Sequence, residues 1–152
     1  MIWVLGTAGA VFILDIATKA LALHSLRPFA PTVVIPGLFS LSLVFNRGAA
    51  FGMFPGAAGI FMVLAGLCVM GILAWAARRR TAPILLRFPL GLICGGALGN
   101  LLDRVRWGHV VDFLDFYAGP WHWPAFNIAD SSLCVGAGLL ILHTLRAQNP
   151  SL

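Results

Sequence analysis

GGALGNLLDRVRWGHVVDFLDFYAGPWHWPAFNIAD, residues Gly95 to Asp130, contains Asp103, Asp112, Asp115 and Asp130. These are four of the five acidic residues in a chain of 152, and there is no glutamate. The stretch joins two apolar runs, so the carboxylates gather where a hydrophobic chain turns polar. With 60% hydrophobic residues, 10% charged residues and a mean hydropathy of +0.94, the composition is not that of a soluble globular domain.

Working outward, the flanking runs have the length of membrane spans. About 20 apolar residues cross the hydrocarbon core as a helix, and four segments qualify: 2–24, 57–77, 83–102 and 127–146. Within the third, Gly91, Gly95 and Gly99 recur every four residues on one face, a seam that lets helices pack closely in lipid. Asn100, Asp103 and Arg104 follow at spacings of three and four, which makes one polar face at the helix end. An Asp103–Arg104 interaction closing the helix is the simplest account of that pair. Arg87, near the start of this span, is placed to reach the head groups. Between the third and fourth spans, Trp107, Tyr117, Trp121 and Trp123 suit the head-group layer, and Val110–Phe116 reads as extended. Asn127 and Asp130 share a face at the start of the last helix, where a carboxylate also favours the positive helix end.

The first span carries Asp15 and Lys19, four apart with the acid first, so the two share a helical face and pair. Ionisable residues inside a span are costly and face a protein interior; a structural tether is the expected role of Asp15. Ala20-Leu21-Ala22 resembles a leader cleavage site, but no lysine or arginine precedes the apolar core, and a retained span is expected. Pro28, Pro31 and Pro36 then break the helical pattern. Phe39, Leu41, Leu43 and Phe45 alternate with Ser40, Ser42 and Val44, the period of a strand with one apolar face. It leads into Asn46-Arg47-Gly48-Ala49-Ala50-Phe51-Gly52, whose small residues permit close backbone approach. A plain turn explains the same residues.

Four spans place the first and third connections on one side of the membrane. Asn46, Asn100, Arg104, Asp112, Asn127 and Asp130 therefore converge at one face for either orientation, with Asp15 and Lys19 in the nearer half of the first helix. Arg78, Arg79, Arg80, Arg87 and Arg146 lie on the other side, against Arg27, Arg47, Arg104 and Arg106. The positive-inside rule leans toward the triple-arginine side being cytoplasmic.

Several classes are disfavoured. The net charge of +5 forms no basic stripe, so nucleic acid is not an expected partner. Cys68, Cys94 and Cys134 are odd in number and lack C-x-x-C spacing, so buried, unreactive thiols are expected rather than a disulfide or zinc site. His24, His109, His122 and His143 show no ligand spacing, and no metal is expected. Two carboxylates in a partly desolvated site share one proton, the requirement for peptide hydrolysis by an aspartic pair. Asp112 and Asp130, on different elements, can face each other, whereas Asp115 points to the opposite side of an extended segment from Asp112. The alternatives are a small proton-coupled carrier or channel with Asp15, Lys19 and Asp130 as a relay, and a non-catalytic assembly protein. The uncharged second span and the lack of an internal repeat disfavour a carrier.

Five segments in order carry a family resemblance: Asp15-Ile16-Ala17-Thr18-Lys19, Asn46–Phe51, Gly95–Arg104, Val110-Val111-Asp112-Phe113 and Phe126-Asn127-Ile128-Ala129-Asp130. Together they resemble lipoprotein signal peptidase (signal peptidase II), over essentially the whole chain. Ile16 stands where that family commonly has glutamine. The resemblance implies an α-helical integral membrane protein of four transmembrane helices with a small extracytoplasmic β-rich cradle, about residues 28–54, and an interfacial segment. The whole chain, 1–152, would be a single membrane-embedded peptidase domain. It implies cleavage of diacylglyceryl-modified prolipoproteins before the lipid-bearing cysteine by the pair Asp112 and Asp130. It further implies that Asn46, Asn100, Arg104 and Asn127 hold substrate or organise the site, with Asp15 and Asp103 in support. The implied setting is the bacterial inner membrane, with the site toward the extracytoplasmic face. Lipid-modified prolipoproteins and membrane lipids are the expected partners. A monomer without a cofactor is expected. The apolar strand face would lie on the membrane and help hold acyl chains.

Overall fold

The computed structural model describes residues 1–48 and 58–148. Elements follow in the order α1 (Ile2–Ser25), β1 (Thr32–Ile35), β2 (Phe39–Asn46), α2 (Ala58–Arg78), α3 (Ile84–Trp107), β3 (Val110–Ala118), β4 (Trp121–His122) and α4 (Ile128–Gln148). The four helices have 21 to 24 residues, enough to cross about 30 Å of hydrocarbon at 1.5 Å per residue. The expected Ala49–Gly52 backbone approach, the end of the cradle at residue 54 and the start of the second span at residue 57 lie outside the described residues.

The central helix is α3. Its mid-section faces are glycine-rich because two other helices approach its backbone there. A Cβ on Gly95 would stand 2.6 Å from the Ala8 carbonyl oxygen of α1, and one on Gly96 2.5 Å from the Ala129 oxygen of α4. Gly136 of α4 returns the contact, with its Cβ position 2.8 Å from the Pro89 oxygen. The Gly91/Gly95/Gly99 seam is therefore the α1 face, and Gly96 with Gly136 forms the α4 face. Val4 and Ala8 pack with Val69, Ile72, Ala76, Cys94 and Ala97 in one apolar cluster. Elsewhere the helices leave large apolar side chains exposed, among them Ile13, Leu64 and Ile141, as expected of surfaces facing acyl chains.

Two expectations change here. The third helix continues five residues past 102 to Trp107, where Gly108 at φ 71° caps it and donates to the Arg104 oxygen at 3.0 Å. Polarity does not end it, because Asn100 and Asp103 are buried in protein rather than released to water. Cys68 and Cys134 are exposed and only Cys94 is buried; an apolar run in this chain need not mean a protein core.

The strands form one antiparallel sheet in the order β1-β2-β3-β4. β1, absent from the sequence reading, pairs with the first half of β2. The alternation expected along β2 breaks at a bulge: Leu41 opposes Leu114, but Val44 opposes Asp112. One extra residue reverses which side chains share a face. Phe39, Leu41, Val44 and Asn46 consequently stand on the Asp112 side of the sheet, and Ser40 stands opposite Asp115. Without the bulge, Asn46 would point away from Asp112.

Candidate active site

The first turn of α4 has amide groups without intrahelical acceptors, and three side chains meet them. Asn127, just before the helix, accepts from the Asp130 amide through Oδ1 at 2.9 Å, while Asp130 Oδ2 accepts from the Asn127 amide at 3.3 Å. This is a reciprocal capping box built from asparagine and aspartate. The Ala129 amide donates to Asp15 Oδ1 at 2.9 Å, so Asp15 ties α1 to the start of α4.

The same cap reaches the sheet. Asn127 Nδ2 lies 2.7 Å from Asp112 Oδ1 and 3.2 Å from both Asn100 Oδ1 and the Val111 oxygen. Two amide protons serve three acceptors, and the shortest contact goes to Asp112. Asn46 Nδ2 donates to the other Asp112 oxygen at 3.1 Å, and its own Oδ1 accepts from the Gly48 amide at 3.0 Å. From α3, Asn100 Nδ2 donates to Asp130 Oδ1 at 2.7 Å. Each candidate carboxylate thus has donors on both oxygens.

Beneath them lies a buried charge cluster. Lys19 Nζ is 2.7 Å from Asp15 Oδ2, 2.9 Å from Asp103 Oδ2 and 3.0 Å from Asn100 Oδ1. An ammonium has three donors, and all three find acceptors in a side chain only 3% exposed. Asp103 also accepts from the Val111 amide at 3.1 Å, joining α3 to β3. This replaces the expected Asp103–Arg104 pairing: Asp103 turns inward to Lys19. Arg104 instead donates to the Gly48 oxygen at 3.2 Å and the Asn100 oxygen at 3.3 Å, with its guanidinium 5.5 Å from the Phe61 ring centre. It thereby fixes the backbone after Asn46 beside the site.

Asp112, Asp130, Asn46, Asn100 and Arg104 line one cavity of about 510 Å³, whose other wall includes Trp123 and Phe126. Asp112 is 1% exposed. Burial, reinforced by the charge of Asp130, pushes its carboxyl up to about 7 despite the opposing Asn46, Lys19 and Asn127. A buried acid that exchanges its proton near neutrality beside a second carboxylate can serve in general acid–base chemistry.

Asp115 is on the other face. Burial works to raise its carboxyl, but His122, Ser42 and Ser40 donate to it and hold it below the usual range. The Ser40 and Ser42 hydroxyls lie 3.1 and 3.0 Å from Oδ2, and His122 Nδ1 lies 2.9 Å from Oδ1. That cluster closes β4 onto the sheet and stands outside the cavity. All eight site residues named from sequence (Asp15, Asn46, Asn100, Asp103, Arg104, Asp112, Asn127 and Asp130) join one network. Sequence reading missed the three-way role of Lys19, whose only visible signal was its spacing from Asp15. It also missed two cavity walls: Trp123, which reads as an interfacial aromatic, and Phe126, which stands in sequence only as the first residue of the segment ending at Asp130.

Residues 7–146 match the family described as Signal peptidase (SPase) II. The chain belongs to the signal peptidase II family. As a family member it is a peptidase, and its four apolar helices make it a multi-pass membrane protein. It is 46% identical to the lipoprotein signal peptidase of Nitratidesulfovibrio vulgaris, with 97% of this chain and 92% of that one covered. It is 43% identical to the lipoprotein signal peptidase of Cupriavidus taiwanensis, over 96% and 84%. A solved bacterial membrane enzyme superposes with a TM-score of 0.89 at 30% identity, over 98% of this chain and 91% of that one. A second such enzyme gives 0.83 at 31% identity, over 94% and 92%.

Proposed function

We propose that this signal peptidase II family member removes signal peptides from diacylglyceryl-modified prolipoproteins, cleaving before the lipid-bearing cysteine. Asp112 and Asp130 are its catalytic pair. The supporting observation is that both carboxylates line one cavity in a membrane-embedded chain and are held by a single residue, Asn127. At neutral pH the pair carries one proton, on Asp112. Asp130 takes a proton from water as the oxygen attacks the scissile carbonyl, and Asp112 gives its proton to the carbonyl oxygen. The tetrahedral gem-diol collapses as Asp130 passes its proton to the amide nitrogen, Asp112 takes back a hydroxyl proton and the carbon–nitrogen bond breaks, which restores the starting pair. Asn46, Asn100 and Asn127 fix the two carboxylates, and Arg104 presents positive charge to the same cavity.

The membrane setting follows the same reading. The cavity opens the chemistry to a substrate held by its lipid near the interface, with the cradle alongside. The site faces the extracytoplasmic side of the bacterial inner membrane, and the arginine-rich end faces the cytoplasm. The chain acts as a single peptidase domain and a monomer, with membrane lipids as neighbours and no cofactor. The carrier alternative has less support, because the buried charges converge on the α4 cap and β3 rather than forming a path along the helices.

The purified protein in detergent should cleave a diacylglyceryl-modified prolipoprotein and leave the unmodified precursor intact. Cleavage of both at equal rates would remove the lipid-dependent part of the proposal. Cleavage of neither by a folded preparation would remove the assigned substrate class.

A further inference from the structure

The end of the bundle away from the aspartates has a second cavity of about 370 Å³ between the start of α3 and the end of α4. Ile84, Leu85, Phe88, Leu139 and Leu142 give it an apolar floor, and His143 and Arg146 stand at its rim. Arg146 is exposed, and neither rim residue makes a hydrogen bond or ion pair among the described residues. Arg78, Arg79, Arg80 and Arg87 lie at the same end of the bundle, at the end of α2 and the start of α3. Of these, Arg80 and Arg87 point donors at the backbone oxygens of Ala77 and Arg80. No carboxylate side chain opposes them: the five aspartates all belong to the site end or to the Asp115 cluster.

We infer that this slot binds an anionic phospholipid, with one acyl chain along the apolar floor and the phosphate against Arg146 and His143. The shape and charge together indicate that occupant. A zwitterionic lipid could fill the floor equally well, but it would leave the unopposed arginines without a net counter-charge. A free phosphate would satisfy Arg146 and leave the apolar floor unused. Basic pockets between transmembrane helices recognise acidic head groups in this way. The site is separate from the aspartate cavity and independent of the proposed reaction.

The test is thermal unfolding of the purified chain in neutral detergent, titrated with phosphatidylglycerol, with phosphatidylcholine of the same acyl chains, or with glycerol phosphate. Phosphatidylglycerol should raise the melting temperature saturably, and the other two should not. Arg146→Gln should weaken the phosphatidylglycerol response about fivefold, the effect of one basic residue near an acidic lipid surface. Leu142→Trp should weaken it by filling the floor. Both variants should keep wild-type peptidase activity. Equal responses to the two lipids, or a full response to glycerol phosphate, would overturn the inference. So would a phosphatidylglycerol preference undiminished in Arg146→Gln. Should that variant fail to fold, the wild-type lipid comparison alone still decides.

Discussion

Asn127 and Asp130 cap each other across the first turn of α4, side chain to backbone in both directions, at 2.9 and 3.3 Å. The cap holds Asp130 in place, and the same asparagine side chain reaches 2.7 Å across to Asp112 on β3. One residue therefore connects helix geometry to the relation between the two carboxylates.

Replacing Asn127 by serine should separate these roles. Serine is a good helix N-cap, so folding should persist, whereas alanine at the same position should cost about 1 kcal/mol. Serine lacks the amide that donates to Asp112. A hydrogen bond to a neutral acid is worth about 0.5–1.5 kcal/mol, so turnover should fall about two- to tenfold. Thermal unfolding and cleavage kinetics on one preparation check both parts. Turnover near wild type in the serine variant, with stability and turnover lost only in alanine, would show that the cap alone matters.

Asp112 gives a pH dependence whose sign is fixed. Its carboxyl stands at about 7 in the fold against 3.8 without it, so the folded state binds the extra proton between those values. Stability attributable to this group therefore falls as pH rises from about 4 to about 7 and is level above that. Cleavage should fall about tenfold per pH unit above 7 as the acid loses its proton. Asp115 has the opposite sign: its lowered carboxyl contributes stability above the unfolded value, lost as pH falls through the folded one. Asp115→Asn should flatten the acid side of the stability profile while cleavage keeps its neutral-pH limb. Loss of that limb in Asp115→Asn would reassign the titrating group.

Gly99 is where the backbone of α3 meets the Asp15 carboxylate, since a Cβ added there would collide with Asp15 Oδ2. Asp15 is fully buried and pinned by Lys19 and the Ala129 amide, so it has little room to give. Gly99→Ala should lower stability by about 1–3 kcal/mol, the usual cost of overpacking, and reduce cleavage with it. Gly66→Ala on α2, where an added Cβ meets nothing within 4 Å, is the matched control. Indistinguishable melting temperatures for the two variants would contradict this packing.

The limits of sequence reading lie in specific residues. Four spans were legible because lipid imposes length and apolarity directly on the chain. Convergence at one end followed from counting spans, and it brought Asn46, Asn100, Arg104, Asp112, Asn127 and Asp130 to one face. The face of β2 that carries Asn46 was not legible, because a one-residue bulge leaves no compositional mark. Asp103 was misassigned to Arg104 because neighbours in sequence are visible and Lys19, on another helix, is not. The Asp115–His122 clasp was hidden for the same reason: its partners come from β2, β3 and β4.

The most direct test of the catalytic pair is cleavage of a purified diacylglyceryl-modified prolipoprotein by wild type, Asp112→Asn and Asp130→Asn, with substrate binding measured on the same samples. Each variant should fold, bind substrate and lose turnover by at least about a hundredfold, the scale of general acid–base catalysis. Cleavage near the wild-type rate by either folded variant would contradict the pair.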